Sequence, residues 1–224
     1  MIFLGCLRGI VENHKNSALD PDQLLCSGPK DPERDFSGTT TQFAESMISM
    51  DTFDCIRTKL DVREFYSGRK VPAEAKMKIL EAARLTGSGM NSQHWRFILV
   101  QTPERLKTLA DDSTTGSWVR GADFAVIVLI AEKHGFERID AGRAVQDMQL
   151  AAWNLGVVSC IYTGFNQTAM RKDFSLPQSM VASVVVGFGY PAKRITGAKK
   201  NRKSMKELVF IQTYGQPYDT AQLA

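Results

Sequence analysis

The sequence predicts an α+β domain over residues 50–224, and three observations carry that prediction. Helical and strand-like hydrophobic periods are mixed along about 175 residues with no internal repeat. Phe124 to Ala131 (FAVIVLIA) is a continuous apolar run, the composition of a strand buried on both faces. The whole chain of 224 residues is 43% hydrophobic and 23% charged, near the globular norm. That balance excludes a collagen-like chain, a disulfide knot and a wholly disordered chain.

Residues 1–49 are a different kind of sequence. They hold four basic and seven acidic side chains, whereas residues 50–224 hold the other 24 basic and 17 acidic ones. The net charge of +4 is therefore a charge of −3 on the first part and +7 on the second. Stretches such as Ser27-Gly28-Pro29-Lys30-Asp31-Pro32 sustain neither period, so 1–49 is predicted to be a poorly ordered N-terminal extension. The change of pattern at Met50 raises a start of the functional chain there, with the upstream part not native.

From Met50 the elements follow in order. Val71-Pro72-Ala73-Glu74 opens a helix with Pro in its first turn and an early acid. Met77, Ile79, Leu80 and Ala83 supply its apolar face, and Gly87 is its expected stop. Arg96 to Gln101 reads as a strand, followed by a short helix from Thr102-Pro103-Glu104 with Leu106 and Leu109 inward. After the 124–131 strand, Gly142 to Leu155 forms a helix with Ala144, Met148, Ala151 and Leu155 on one stripe, closed by Gly156. Val157 to Ile161 and Ser183 to Phe188 are further strands, the latter closed by Gly189-Tyr190-Pro191. A basic loop runs from Lys193 to Lys206, and Leu208 to Gln212 is expected as a last strand.

Several chemistries are excluded. Cys6, Cys26, Cys55 and Cys160 are dispersed without CxxC spacing, and His14, His94 and His134 lie far apart. No zinc site, disulfide framework or Ser-His-Asp triad is therefore expected. Reduced cysteines fit a cytoplasmic protein. No apolar run approaches the roughly 18 residues of a membrane span, and Met1 to Ile10 lacks the basic region of a signal peptide. The run Lys200-Asn201-Arg202-Lys203 lacks interleaved aromatics and any nucleic-acid motif, so no nucleic-acid partner is expected.

Four segments together suit an anionic, planar ligand. In Arg57 to Phe65 the bases at 57, 59 and 63 alternate with apolar residues, offering a point charge and a planar fork for a phosphate and a polar ring edge. Thr86 to Phe97 passes through a Gly/Ser turn in which glycines permit close approach and Ser88, Asn91 and Gln93 add hydrogen bonds. Asp140 to Ala152 is rich in small residues and leads to Thr163-Gly164 at a strand end, a place suited to presenting backbone N–H groups to a ligand. Lys200 to Lys203 adds the fourth cluster of charge.

In this order the segments resemble the nitroreductase family of FMN-dependent oxidoreductases, from about Met50 to Gly215. Lys59 to Phe65 is similar to the family's Arg-Arg-Ser/Asp-Val-Arg-x-Phe opening. Ser88-Gly89-Met90-Asn91-Ser92-Gln93-His94-Trp95-Arg96-Phe97 is similar to its Ser-Gly-x-Asn-x-Gln-Pro-Trp-x-Phe. Asp140-x-Gly142 through Leu155-Gly156 resembles its central helix, and Gly189-Tyr190-Pro191 with Lys200-x-Arg202 its closing segment. Leu60 stands in place of a common second Arg, His94 in place of Pro, and Thr163 where some members have Glu.

The resemblance implies a mainly antiparallel central sheet flanked by helices, in a homodimer with FMN at the interface. It implies that Lys59, Leu60 and Asp61 line the ribityl and pyrimidine side and that Arg63 approaches the pyrimidine edge. Ser88, Gly89, Asn91 and Gln93 would belong to the same cofactor site, the first three coming from the other subunit to cover the ring. The backbone of Thr163 and Gly164 would face the flavin N5, and Lys200 and Arg202 would hold the phosphate. No protein group is expected to do the hydride chemistry itself, which belongs to the flavin. The expected activity is hydride transfer from NADH or NADPH to an electron-poor acceptor, such as a nitroaromatic or quinone, by a ping-pong mechanism. The alternatives are a reductive dehalogenase or flavin-fragmenting member of the family, or a non-catalytic flavin-binding protein. The short stretch from Thr102 to Asp123 leaves little chain for a lid and favours the general reductase.

Overall fold

The computed structural model describes residues 50–195, 200–217 and 219. These belong to the larger of two units into which the chain divides, residues 36–224. The extension expected over 1–49 lies outside the described residues.

In chain order the elements are α1 (Thr52–Thr58), α2 (Ala73–Leu85), β1 (Arg96–Val100), α3 (Pro103–Asp111), β2 (Phe124–Ile130), α4 (Glu137–Asn154), β3 (Val158–Tyr162), α5 (Gln167–Asp173), β4 (Val181–Gly189) and α6 (Met205–Leu208). A short 3-10 helix stands at Ser117–Gly121, and Gly89–Asn91 forms a tight turn in which the Asn91 N–H donates to the Ser88 carbonyl. Side-chain caps set several starts. Asp51 accepts from the Phe53 N–H, Thr102 from Arg105, and Asn166 from Thr168 and Ala169. The family-implied sheet is found: four strands in the order β1-β2-β4-β3, every neighbouring pair antiparallel.

The central strands explain their own composition. β2 points Phe124, Val126, Val128 and Ile130 into a core shared with α2 and α4. Its alternate residues Ala125, Ile127 and Leu129 enter a second core with α3 and α5. A strand covered on both faces can carry no polar side chain without a partner, hence the uninterrupted apolar run. Phe124 and Phe188 face each other across β2 and β4 with ring centroids 4.7 Å apart and planes 10° from parallel.

Two expectations are corrected. The helix expected from Gly142 begins five residues earlier, at Glu137. Gly135 at φ +86° turns the chain, and the Glu137 carboxylate accepts from the N–H groups of Lys133 and His134 at 2.9 and 2.8 Å. Burial pushes that carboxyl up, but these N–H groups and those of Gly135 and Glu137 itself more than reverse it, to about 2. The last strand expected at Leu208–Gln212 does not form. Ser204 and Glu207 build a reciprocal cap that starts α6 there, and Phe210 bridges only Pro217, which has no N–H to extend a ladder. α5, only seven residues long, carried too little period to be foreseen.

Candidate functional site

After α1 the chain runs extended along the edge of the sheet. Asp61 bridges Ser159 of β3, the Val62 N–H donates to the Ser159 carbonyl at 2.9 Å, and Phe65 bridges Pro191 beyond β4. Lys59 and Asp61 are thereby held beside β3. Lys59 Nζ donates to Asp61 Oδ1 at 2.7 Å. Gln149 of α4, only 3% exposed, donates through Nε2 to Asp61 Oδ1 and Ser159 Oγ, each at 3.1 Å. Leu60 between them is half-buried.

The basic segment beyond the sheet folds back onto this place. Lys200 Nζ donates to the Ile56 carbonyl of α1 at 2.6 Å, and Arg202 donates to the Asn201 carbonyl at 2.8 Å. Burial pushes the Lys200 ammonium down, and the like charges of Arg202 and Lys59 push it further, with Asp61 opposing. Lys59, Lys200 and Arg202 therefore share one neighbourhood with a single carboxylate among the groups that act on it. Such an array favours an anion. Arg63 is exposed, and hydrogen bonding with the Cys160 side chain raises its guanidinium above the ordinary value. A cavity of about 450 Å³ opens there, lined by Asp61, Val62, Arg63, Glu64, Lys193, Arg194 and Ile195.

Thr163 and Gly164 follow β3 directly. Thr163 is exposed. The Gly164 carbonyl accepts from the Thr114 N–H at 2.8 Å, and a Cβ at 164 would lie 2.5 Å from Thr115 Oγ1 and 2.6 Å from Thr114 Oγ1. Only glycine lets the strand end press this close to the 114–115 loop.

The turn holding Ser88, Gly89, Asn91 and Gln93 is built from its own side chains. Ser88 Oγ accepts from the Gln93 N–H at 3.0 Å, and Gln93 Nε2 donates to Asn91 Oδ1 at 3.2 Å. Met90, Asn91 and Gln93 all adopt left-handed backbone, at φ +54°, +50° and +44°. α4 anchors the turn, since the Gly89 N–H donates to Asp140 Oδ2 at 2.8 Å.

The two clusters lie at opposite ends of α4. Asp140 holds the 88–93 turn, and Gln149 holds Asp61, nine residues further along the helix. That separation is roughly 13 Å of axial rise. Trp153, further along still, donates from Nε1 to Thr58 Oγ1 at 3.0 Å. One chain thus brings Lys59, Asp61, Lys200 and Arg202 together, and Ser88, Gly89, Asn91 and Gln93 together, but not the two groups with each other.

Gln149 and Cys160 escaped the sequence reading. Gln149 sits beside Met148 on a helix otherwise read as packing, and a polar residue at an apolar position was the available signal. Cys160 belongs to an apolar strand, and nothing local marks its nearness to Arg63. Among the described residues, no group of three or more His, Cys, Asp or Glu side chains could hold a metal ion, and no helix is long and apolar enough to cross a membrane.

Comparison with known proteins adds an independent line. A family model described as "Nitroreductase family" matches residues 56–132 and 115–190. A relative from Methanothermobacter thermautotrophicus, "Putative NADH dehydrogenase/NAD(P)H nitroreductase", is 32% identical over 163 residues, covering 69% of this chain and 84% of its own. One of the same description from Archaeoglobus fulgidus is 32% identical over 146 residues, covering 61% of this chain and 83% of its own. Among solved structures, a "putative nitroreductase in complex with fmn" from Desulfovibrio desulfuricans superposes with a TM-score of 0.65 at 26% identity, covering 74% of this chain and 98% of its own.

Proposed function

The chain belongs to the nitroreductase family, and on that premise we propose that it is an FMN-dependent oxidoreductase that passes hydride from NADH or NADPH to an electron-poor acceptor, such as a nitroaromatic or quinone. The observation that carries this reading is the convergence of Lys59, Lys200 and Arg202 on one half-buried place at the sheet edge. Burial lowers Lys200 first and like charges lower it further, and a dianionic phosphate would offset both, so the donor set fits the FMN phosphate.

FMN, when bound, supplies the hydride-carrying ring. The chain's own residues hold and tune it. Lys200 and Arg202 would take the phosphate, and Lys59, Leu60 and Asp61 would line the ribityl and pyrimidine side. Arg63 would place a permanently charged guanidinium toward the pyrimidine edge, where a cation favours negative charge on the ring. The strand end at Thr163 and Gly164, packed against Thr114 and Thr115, would offer backbone N–H groups to N5.

On this reading the 88–93 turn comes to the cofactor from a second copy of the chain, as the family resemblance implies, and its separation from the Lys59 cluster along α4 is compatible with that. The active species is therefore a homodimer with FMN at its interface. Nicotinamide and acceptor would share one binding place in turn, which is the ping-pong cycle we propose for a cytoplasmic protein.

An absorption spectrum of the purified protein followed by anaerobic NADH or NADPH titration tests the reading. The expected result is a yellow protein bleached by one of the two. Protein that stays colourless after incubation with FMN refutes it; protein that binds FMN but oxidises neither nicotinamide with any acceptor refutes the enzymatic part. Arg202→Ala is expected to weaken FMN binding about tenfold or more.

A further inference from the structure

We infer that His94 is a positioning residue, which acts through Asp140 to hold the 88–93 turn in the shape that meets the flavin. The inference rests on the proposed reading that Ser88, Gly89 and Asn91 cover the ring. The sequence departs from its family pattern at this position, His for Pro, and the structure supplies a use for the change.

The Asp140 carboxylate is 4% exposed, and a buried carboxylate needs donors on both oxygens. Oδ1 has Arg143 NH1 at 3.4 Å. Oδ2 has the Gly89 N–H at 2.8 Å and His94 Nε2 at 3.3 Å. A carboxylate only accepts, so Nε2 carries the proton. The His94 side chain is itself 9% exposed, with its Nδ1 buried and without a hydrogen-bond partner. The ring is held edge-on against Trp95 and Phe136, at centroid distances of 5.3 and 6.3 Å. Phe136 also closes the other side of the turn, since a Cβ on Gly89 would lie 2.7 Å from its Cδ2.

The turn needs such a clamp. Left-handed backbone at Met90, Asn91 and Gln93 persists only where the surroundings over-determine it. Proline at 94 offers Asp140 no donor. His94 therefore anchors the carboxylate that anchors the Gly89 N–H, from the residue immediately after the strained turn.

Three measurements test this. Ring 15N spectra of wild-type protein are expected to show His94 as the Nε2–H tautomer; the Nδ1–H tautomer overturns the inference without any variant. Amide exchange of flavin-free His94→Ala is expected to be about tenfold faster or more within 88–93 and unchanged in β2 and β4. Unchanged exchange in the turn overturns the inference. In the flavin-loaded protein, His94→Ala is expected to lower kcat more than it raises the nicotinamide KM. His94→Gln, which keeps an N–H for Asp140, is expected to restore both exchange and kcat to within about threefold of wild type; failure of that rescue refutes a hydrogen-bonding role. If wild-type protein binds no FMN, the flavin reading fails, while the tautomer and exchange results still decide what His94 does to the turn.

Discussion

Asp123→Asn probes how the start of β2 is tied to the segment entering α2. The Asp123 side chain is 4% exposed, immediately before Phe124. Its Oδ2 accepts from the Val71 N–H at 3.0 Å and from Lys76 Nζ at 3.1 Å, and its Oδ1 faces Lys70 Nζ at 3.1 Å. Asparagine keeps an oxygen at the Oδ2 position for Val71 and Lys76 but removes the charge and turns an N–H toward the Lys70 ammonium. Lys70 is 70% exposed, so its share is about 0–1 kcal/mol. Lys76 is 14% exposed, and leaving its ammonium on a neutral amide oxygen in place of a carboxylate costs about 1.5–3 kcal/mol. The full penalty of a broken buried pair is avoided, because Lys76 still reaches Gln101 Oε1 at 3.3 Å and lies 5.0 Å from the Phe124 ring centre. The expected loss is about 2–3 kcal/mol, a fall in Tm of about 5–10 °C for a chain of this size. Calorimetry and urea unfolding measure it. Adding Lys76→Met removes the stranded ammonium, so the double variant is expected to be at least about 1 kcal/mol more stable than additivity predicts. The pH dependence has a definite sign. Burial pushes the Asp123 carboxyl up, but the Val71 N–H, Lys70 and Lys76 hold it below its ordinary value. Its contribution is therefore present above the unfolded carboxyl pKa of about 4 and fades as pH falls further. A variant within about 0.5 kcal/mol of wild type at pH 7, or strict additivity with Lys76→Met, refutes the reasoning.

Glu137, held at about 2, contributes stability above the ordinary carboxyl range that is lost as pH falls toward 2; Glu137→Gln is expected to flatten the acid limb of a stability-against-pH curve, and an unaltered limb counts against the loop contacts. Gly164→Ala forces a Cβ onto the Thr114 and Thr115 hydroxyls and is expected to cost about 1–3 kcal/mol, read as a Tm lower by several degrees. Lys200→Met relieves like-charge repulsion while losing the bond to the Ile56 carbonyl, so thermal stability is expected within about 1 kcal/mol of wild type. Its FMN affinity, measured by flavin fluorescence titration, is expected to fall about tenfold, and an unchanged affinity removes Lys200 from the phosphate site.

Local sequence determined most of the elements. FAVIVLIA suits a strand buried on both faces, and Thr102-Pro103-Glu104 carries its helix start in a side-chain cap and a fixed φ. The four polar segments were also visible in the chain, because glycine turns, bases beside apolar residues and the Lys200-x-Arg202 run are local patterns. Where the local signal was weak or lacked a partner, the reading slipped. Leu208 to Gln212 has strand composition, yet strands need neighbours, and among the described residues Phe210 has a bridge partner in Pro217 alone.

What only the tertiary structure decided is which of these segments meet. Lys200 reaches Ile56 across 144 residues and Gln149 reaches Asp61 across 88, separations no hydrophobic period encodes. The same geometry sets the 88–93 turn apart from that cluster at the far end of α4. Periodicity reports whether a residue faces inward or outward. Which inward or charged residues become neighbours depends on strand order and helix length, and those emerge only when the whole core packs.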